Sequence, residues 1–394
     1  MKIGFVSPYD WSYHGGVRSH IIHLAAELER MGHTTGIITS ATGAEGRVVE
    51  PKVTKLGWAA PIPWNGSIAR IAVSPLLARQ TRAVLERERF DVIHLHEPLA
   101  PALPLTTLHI LGGLDVVSVG TFHAFALNKI ASMPRFSYSM ARAFLRRYFN
   151  RLDGRIAVSP AAYRFASRYF PGKYEIIPNG VDLHRFSVQA EPLPQFADGK
   201  LNILYLSRIE PRKGLKYLLH AIPQIRASYP NTRFIIASDG PQRARYERFV
   251  RRQGWPDVVF TGFVRSDELP RYYASCDLFC APSTGSESQG VVLLEAMASS
   301  KPIVASNIEG YCDVIHDGDD GLLVPPRDSA ALAGAICRLL GDANLRASMG
   351  AKGREHAGEF SWPRITSRIV DYYQMLIEQH AHLASQPNRL LALL

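Results

Sequence analysis

The chain has 394 residues, more than one ordinary hydrophobic core can organise, and this length predicts two domains of roughly 150 to 200 residues each. Hydrophobic residues make up 46% and charged residues 20%, which fits a globular protein, and the apolar runs are too interrupted by Pro, Gly and Asp for a transmembrane span. The formal net charge of +10 suits nucleic acid, an anionic membrane surface or a phosphorylated small substrate.

Predicted strands and helices alternate along the first half of the chain. An apolar run at residues 2–9 predicts a buried strand, and Val17, Ile21, Leu24 and Leu28 then recur at helical spacing. Further short apolar runs that end in polar, Gly or Pro residues, as buried parallel strands do, lie at residues 34–40, 90–98, 116–125 and 154–160.

The same alternation restarts after a proline-containing linker at residues 175–200. Apolar runs separated by helical patterns predict a second sheet, with strands at residues 201–208, 232–241, 257–264, 276–283, 301–307 and 321–326. The expected fold class is therefore α/β, with two Rossmann-like, doubly wound domains. Ligands of such sheets bind at the carboxyl ends of the strands, and a cleft between two such domains is the natural site.

Two groups of residues at strand ends suit a diphosphate. Gly15 and Gly16 lie between a strand and a helix, where backbone N–H groups could meet an anion, although a tight turn uses the same residues without any ligand. Arg208, Arg212 and Lys213 follow the first strand of the second sheet. Cations at the start of a helix are unfavourable unless an anion is present, so we expect these three to bind phosphate rather than to form a solvated basic loop.

Two carboxylates, Glu287 and Glu295, follow the fourth strand of the second sheet. Residues 287–291 predict a loop and Glu295 falls inside the helix after it, so the two carboxylates belong to different elements and should not share a proton. Glu287 could accept hydrogen bonds from sugar hydroxyls, and Glu295 could hold a ribose diol.

These motifs, in this order, resemble the retaining glycosyltransferases of family 4, which have the GT-B fold, over nearly the whole chain. Within the family the chain is most similar to bacterial enzymes that transfer mannose to phosphatidylinositol, through "GGVRSH", "PIPWNGSIAR", "HLHEP", "EPRKG" and "VLLEAMA". The resemblance implies a first domain at 1–186, a second at 187–375 and a C-terminal helix, 376–394, that returns to the first domain. The helical segment is expected to leave the second domain at about Trp362.

The resemblance also implies roles in binding the donor. Gly15, Gly16 and Arg212 would contact the diphosphate, Arg208 and Lys213 would balance the charge of the leaving group, and Glu287 would hold the transferred sugar beside His123. The remaining donor contacts would come from Val264 beside the base, from Ser288, Gln289, Gly290 and Val291 along the sugar and phosphate, and from Glu295 at the ribose. Two positions depart from the family pattern: Gln289 replaces a Phe, and Leu269 replaces a Lys.

The acceptor implied by the resemblance is a phosphoinositide lipid. Its head group would meet residues of the first domain, namely Tyr9, Arg18, Trp64, Asn65, Ser67 and Arg70. Residues 61–71 contain turn formers and predict a loop. Residues 74–90 and 134–155 predict amphipathic helices rich in arginine, which suit an anionic membrane interface about as well as a solvated basic face.

The expected activity is therefore transfer of a hexose, mannose from GDP-mannose, to a phosphatidylinositol-type lipid, with no metal and no other cofactor because no acidic pair stands at a strand end. Alternatives are the same fold acting on diacylglycerol or a soluble sugar, and a nucleotide-sugar epimerase or hydrolase. Nucleic-acid binding is not expected, because the chain has no helix-turn-helix, zinc or RRM signature.

The expected location is the cytoplasm, peripheral on the inner face of the cell membrane. The first residues lack the long apolar region of a signal peptide. The four cysteines, at positions 276, 280, 312 and 337, lack metal or redox spacing and indicate buried thiols in a reducing compartment.

Overall fold

The computed structural model describes residues 1–12, 15–40, 52–64, 67–123 and 135–385, and of residues 58–64, 67–73, 135–141 and 384 it describes the backbone alone. The chain forms two compact units. Unit 1 comprises Met1–Pro178 and Trp362–Leu394, and unit 2 comprises Asn179–Ser361. The expected boundaries, after residues 186 and 375, both lie later in the chain than these.

Unit 1 is built on a sheet with strand order β3-β2-β1-β6-β7-β8-β9, in which consecutive strands are parallel. The strands are β1 Lys2–Asp10, β2 Thr34–Ser40, β3 Val53–Lys55, β4 Trp58–Trp64, β5 Ser67–Val73, β6 Val92–His96, β7 Val117–Phe122, β8 Gly154–Ala157 and β9 Glu175–Ile176. The helices before residue 178 are α1 Gly16–Arg30, α2 Leu77–Glu88, α3 Leu103–Leu111, α4 Arg135–Phe149 and α5 Pro160–Tyr169. The strands and helices predicted for this half of the chain are confirmed.

The expectation of a loop at residues 61–71 was wrong. This segment contributes to β4 and β5, which pair antiparallel from Trp58↔Val73 to Trp64↔Ser67. β5 also bridges to β1, where Tyr9 is opposite Ile71. An Asn-Gly pair between two runs of β-forming residues is a strong hairpin signal, and the prolines in the segment obscured it.

Unit 2 has a fully parallel sheet with strand order β12-β11-β10-β13-β14-β15. Its strands are β10 Leu201–Tyr205, β11 Thr232–Ile236, β12 Val258–Phe260, β13 Leu278–Ala281, β14 Ile303–Ser306 and β15 Gly321–Val324, one in each predicted run. Its helices are α6 Leu215–Ser228, α7 Arg243–Gln253, α8 Leu269–Ala274, α9 Val291–Ala298, α10 Ser329–Gly341 and α11 Ala343–Ala357.

Hydrophobic cores cover both faces of this second sheet. On β10, Ile203 and Tyr205 pack into one core and Leu204 into the other, because successive side chains of a strand point to opposite faces. Strands buried on both sides are near-continuous apolar runs, which is why the sequence revealed them.

The last helix, α12 (Trp362–Ser385), belongs to unit 1. Trp362, Ile365, Ile369 and Tyr373 recur at helical spacing and join the core formed by β1 and α1. The expectation that the chain returns to the first domain at about Trp362 is thus confirmed, and the proposed start of that return at residue 376 was too late.

The linker also ends earlier than expected. The Val181 N–H donates to the Phe360 carbonyl at 2.8 Å, and Phe186 is buried in the core of unit 2. Residues 179–186 therefore belong to unit 2, because their hydrogen bonds and apolar side chains are satisfied there.

No described helix combines the length and apolar content that crossing a bilayer requires. Cys276 and Cys280 are buried as expected, but Cys312 is exposed and Cys337 is intermediate, so the expectation of four buried thiols was wrong.

We predict that Ile365→Ala destabilises unit 1 by about 2 to 5 kcal/mol, because it leaves a cavity where α12 meets the core. Met375→Ala on the same helix is the control, since that side chain is 41% exposed. Native-state hydrogen exchange should show lost protection in β1 and β6 for Ile365→Ala alone. Equal effects of the two substitutions would contradict the packing of α12 on unit 1.

Candidate active site

The unit 2 site lies at the switch point of its sheet. Strand order reverses between β10 and β13, and ligands of open α/β sheets bind outside the carboxyl ends of strands at such a point. The loop after β10 carries Arg208, Arg212 and Lys213, and the loop after β13 carries Glu287. The structure thus brings together residues separated by about 75 positions in the sequence.

Glu287 is the centre of a charged cluster. Its Oε1 lies 2.7 Å from the Lys213 Nζ and 2.8 Å from the Arg212 Nη1. The Ser283 hydroxyl is 3.3 Å from the same oxygen. All three contacts use Oε1, so Oε2 takes part in none of them and is the carboxylate oxygen left for a further hydrogen bond.

A second carboxylate, Glu210, completes the cluster. Its Oε1 lies 3.1 Å from the Arg208 Nε, and its Oε2 lies 3.5 Å from the Arg212 Nε. Glu210 is 6% exposed and Glu287 8% exposed. Buried carboxylates are stable when they are paired, and here two of them balance three cations to leave one net positive charge.

Sequence reasoning missed Glu210, although it lies within the motif "SRIEPRKG" itself. It also missed Ser283 and Tyr311, whose hydroxyl is 3.0 Å from the Ser283 hydroxyl. No spacing rule points to Tyr311, because its contact depends on how β14 and the segment after it pack against the Glu287 loop.

The backbone of the Glu287 loop is held by close packing around glycines. Gly290 has φ +76°, and a Cβ there would lie 2.5 Å from the Tyr311 ring. Gly310 has φ +84°, and its Cβ would lie 2.3 Å from the Glu287 carbonyl oxygen. A residue with a side chain at either position would strain the backbone and displace this loop, so the two glycines allow the path that the loop backbone takes.

Gln289 is oriented by a residue from the start of unit 2. Its Oε1 accepts hydrogen bonds from the backbone N–H and the side-chain amide of Asn179, at 2.7 and 2.6 Å. Its Nε2 is buried and has no hydrogen-bond partner in the described part of the chain. The Gln289 amide is therefore held in one orientation with its N–H₂ group buried.

Glu295 lies in α9, on a different element from Glu287, as expected. The Tyr273 hydroxyl is 2.9 Å from its Oε2, and burial raises the pKa of Glu295 to about 7. Three other residues were expected to contact the donor. Ser288 lies in the Glu287 loop and Val291 begins α9. Val264 follows β12 and packs against the core of unit 2 that also contains Leu293.

The unit 1 residues also lie at a switch point, between β1 and β6. Gly15 caps α1 and Gly16 begins it, and a Cβ on either would meet nothing within 4 Å. Tyr9 is the second-to-last residue of β1, and burial, reinforced by Glu97, raises its pKa. Arg18 on α1 lies over the Trp11 ring at 5.1 Å.

The remaining expected acceptor residues are placed less fully. Trp64 ends β4, and Ser67 and Arg70 lie on β5, where the structure describes the backbone alone. Asn65 lies outside the described residues. Their predicted roles stay predictions.

A row of histidines crosses the carboxyl edge of the unit 1 sheet. His94 and His96 lie on β6 and His123 follows β7. The His96 Nδ1 is 2.9 Å from the His123 Nε2, and the His123 backbone N–H donates to Glu97 at 2.9 Å. His20 on α1 meets both the His96 and the His123 rings edge-on, at 5.2 and 4.9 Å between ring centres.

Three of these histidines, His94, His96 and His123, are neutral in the folded chain at neutral pH. Burial, reinforced by His20, lowers the pKa of His94 to about 3. Burial, reinforced by neighbouring histidines, holds the pKa values of His96 and His123 well below the usual range. The Tyr373 and Thr121 hydroxyls, each 2.6 Å from a ring nitrogen of His94, satisfy that ring without a charge.

Two clusters in the described residues hold groups that metals use. His20, His96 and His123 form one, but its nearest nitrogens already face each other in a hydrogen bond. His316, Asp320 and His356 form the other, with the two imidazoles nearly parallel at 13° and 4.3 Å apart. A metal lies close to the plane of an imidazole that binds it, so one of these rings would have to rotate first.

Family models match both halves of the chain. Residues 14–185 match the model described as Glycosyltransferase Family 4, and residues 200–342 match the model described as Glycosyl transferases group 1. The chain is 34% identical to a phosphatidyl-myo-inositol mannosyltransferase of Mycolicibacterium smegmatis, over 95% of this chain and 94% of that protein. A protein of the same name from Propionibacterium freudenreichii is 32% identical, over 99% of both chains.

Solved structures agree on the fold. Sucrose-phosphate synthase from Thermosynechococcus elongatus superposes with a TM-score of 0.77 at 22% identity, covering 96% of this chain and 99% of its own. Anabaena HepE in complex with UDP gives 0.75 at 21% identity, covering 95% and 100%. The fold is GT-B, as expected. The chain belongs to the glycosyltransferases of family 4 and is an enzyme that transfers a sugar.

We predict that unit 1 loses stability as the pH falls below about 6.5. His94, His96 and His123 take up protons in the unfolded chain, whereas they stay neutral when buried in the folded chain. The contribution of these histidines to stability is complete above pH 6.5, the pKa of histidine in the unfolded chain. For His94 this contribution is lost progressively as the pH falls from 6.5 to about 3, its pKa in the folded chain. Each such histidine contributes a slope of about 1.4 kcal/mol per pH unit.

Hydrogen exchange of unit 1 at pH values between 7.5 and 5.5 measures this slope. His94→Phe should reduce it, whereas His109→Gln, an exposed histidine on α3, should leave it unchanged. A pH-independent stability would show that these histidines take up protons as readily in the folded chain as in the unfolded chain.

Proposed function

We propose that this glycosyltransferase moves a mannosyl residue from GDP-mannose to a phosphatidylinositol-type lipid at an anionic membrane surface, with retention of configuration and without a metal ion. Binding of a nucleotide-diphosphate donor is supported by one observation, the cluster of Arg208, Arg212 and Lys213 around two buried carboxylates. The acceptor half rests on relatives of nearly the same length that carry the name phosphatidyl-myo-inositol mannosyltransferase.

The charge balance of unit 2 supports diphosphate binding. The cluster carries one net positive charge before any ligand arrives, and Arg208 has a side chain that is 55% exposed. A diphosphate can therefore take Arg208 as a forked donor while Lys213 remains close to Glu287. These cations stabilise the negative charge that develops on the leaving group, which is the work that a metal does in other enzymes.

The sugar is assigned to Glu287, Gln289 and His123. The Oε2 of Glu287 is the acceptor for sugar hydroxyls, because the cations occupy Oε1. The Gln289 amide offers a buried donor whose orientation Asn179 fixes. Retention then follows from attack on the same face from which the diphosphate leaves, with catalysis resting on positioning and charge stabilisation.

Membrane contact is assigned to α2 and α4 of unit 1. Phe144 is 56% exposed and Leu76 is 55% exposed, and Arg146 and Arg147 are exposed next to Phe144. Exposed apolar side chains beside arginines suit the boundary between anionic head groups and acyl chains. A lipid with two acyl chains stays in the bilayer, so the enzyme has to reach it there.

A donor and acceptor screen tests this function. GDP-mannose with phosphatidylinositol vesicles should yield a lipid heavier by one hexose in mass spectrometry, and the yield should survive EDTA. UDP-sugars, diacylglycerol and soluble sugars are the comparison arms, and the UDP bound to HepE makes a uridine donor the first alternative. Loss of product in EDTA would overturn the metal-free assignment, and product from a UDP-sugar alone would overturn the guanine donor.

Substitutions should separate donor binding from turnover. Arg208→Ala should weaken GDP binding by about 1.5 to 3 kcal/mol, the cost of a charged hydrogen bond, whereas Arg265→Ala at an exposed ion pair should not. Glu287→Gln and His123→Ala should lower turnover far more than GDP affinity, because both are assigned to the sugar. Calorimetry and initial rates measure the two effects, and an unchanged turnover removes that residue from the site.

Vesicle flotation tests the membrane assignment. The protein should float with phosphatidylinositol or phosphatidylglycerol vesicles at low salt, and Arg146→Glu with Arg147→Glu should reduce flotation without changing GDP affinity. Arg251→Glu with Arg252→Glu on α7 is the matched control, since it makes the same charge change on an exposed pair in unit 2. Equal loss in both double variants would mean that net charge, rather than α4, drives binding.

A further inference from the structure

The hydrogen bond between His96 and His123 has a geometry that links the two rings. Their nearest nitrogens are 2.9 Å apart while their ring centres are 5.2 Å apart, at an interplanar angle of 25°. The rings therefore meet edge to edge, with one N–H directed at the lone pair of the other ring. Such a bond restrains the rotation of His123, which follows the end of β7 and is partly exposed.

His96 is itself held rigidly. It is fully buried on β6, packs against the His94 ring at 4.5 Å and meets the edge of His20. His94 in turn is fixed by the Tyr373 and Thr121 hydroxyls. A buried and well-packed ring is suited to orient a neighbour that must contact a substrate.

The remaining nitrogen of His96 decides which ring donates. His96 Nε2 is buried and has no hydrogen-bond partner in the part of the chain that the structure describes. If His123 donated from Nε2, then neutral His96 would carry its proton on Nε2 as a buried donor without an acceptor. Orphaned buried N–H groups are rarer than unsatisfied acceptors, so the favoured arrangement has His96 Nδ1–H donating to His123 Nε2.

We propose that His96 is a positioning residue that, through Nδ1–H···Nε2, orients the His123 ring and fixes the His123 proton on Nδ1, so that His123 offers a neutral N–H donor to an oxygen of the transferred sugar. This inference rests on the proposed function, in which His123 contacts that sugar. No described residue bonds to His123 Nδ1, which leaves that nitrogen for a ligand.

Neutrality has a chemical purpose at this position. The transition state of glycosyl transfer places positive charge on the sugar ring, as in glycoside hydrolysis. An imidazolium would repel that charge, whereas a neutral N–H still donates a hydrogen bond to a hydroxyl. Burial lowers the pKa of both rings, and the neighbouring histidines add to the effect, so the donor stays uncharged.

The test uses substitutions that reproduce one nitrogen of His96 at a time. The amide of His96→Asn reaches the position of Nδ1, and the amide of His96→Gln reaches the position of Nε2. We expect the Asn variant to retain most of the turnover with GDP-mannose and phosphatidylinositol vesicles. The Gln and Leu variants should lose on the order of tenfold to a hundredfold in kcat, the usual effect of losing a group that orients a functional imidazole, with unchanged GDP affinity.

The spectroscopic arm needs no substrate. In protein labelled with ¹⁵N-histidine, long-range ¹H–¹⁵N spectra distinguish a protonated from a bare ring nitrogen, and comparison with His123→Ala assigns the His123 signals. Wild type and His96→Asn should show the proton on His123 Nδ1, and His96→Gln and His96→Leu should lose this preference. Tyr373→Phe is the control, because it removes a hydroxyl from His94 without touching His123.

The outcomes separate two failures. A proton on His123 Nε2 in wild type, or a pattern and a kcat unchanged in His96→Gln and His96→Leu, overturns the inference while the proposed function stands. If His123→Ala keeps full turnover, then the assigned role of His123 is wrong and the inference falls with it, whatever the spectra show. If His96→Leu does not fold, the contrast between Asn and Gln still decides.

Discussion

Positive charges placed side by side at the end of one strand repel each other, and the unit 2 site depends on two carboxylates that compensate this repulsion. Glu210 and Glu287 are almost buried, and each holds an arginine, while Glu287 also holds Lys213 at 2.7 Å. Carboxylates at such low exposure are stable because cations surround them, and the cations keep their positions because the carboxylates are there. The cluster can therefore form before any phosphate is bound.

This charge balance determines what the loop after β13 must do. Its path brings Glu287 from the end of one strand to the cations that follow another, and the backbone has no spare space along the way. Gly290 and Gly310 allow the chain to pass Tyr311 and the Glu287 carbonyl at distances that a side chain would not permit. Close packing of this kind turns a flexible connection into a support for charged side chains.

Unit 1 has the same type of sheet, but its switch point carries neutral groups. A row of imidazoles lies there, and burial keeps them uncharged by lowering their pKa values. These rings contact hydroxyl groups and the edges of neighbouring rings. α12 contributes directly to this arrangement, since Trp362 meets the His20 ring at 5.2 Å and Tyr373 bonds to His94. The return of the C-terminal helix to unit 1 is thus part of how the histidines are held, besides closing the hydrophobic core.

The sequence by itself determined the elements and the class of site. Buried parallel strands are continuous apolar runs, helices repeat with the period of their turns, and Arg208, Lys213 and His123 could be placed at strand ends from those patterns. Only the tertiary structure decided which side chains meet. The contacts of Lys213 with Glu287 and of His96 with His123 join segments that follow or lie on different strands, and local periodicity carries no information about them. The same reason applies to the unit boundaries and to the β4–β5 hairpin, because pairing and core burial between distant segments, rather than local propensity, fixed where each segment belongs.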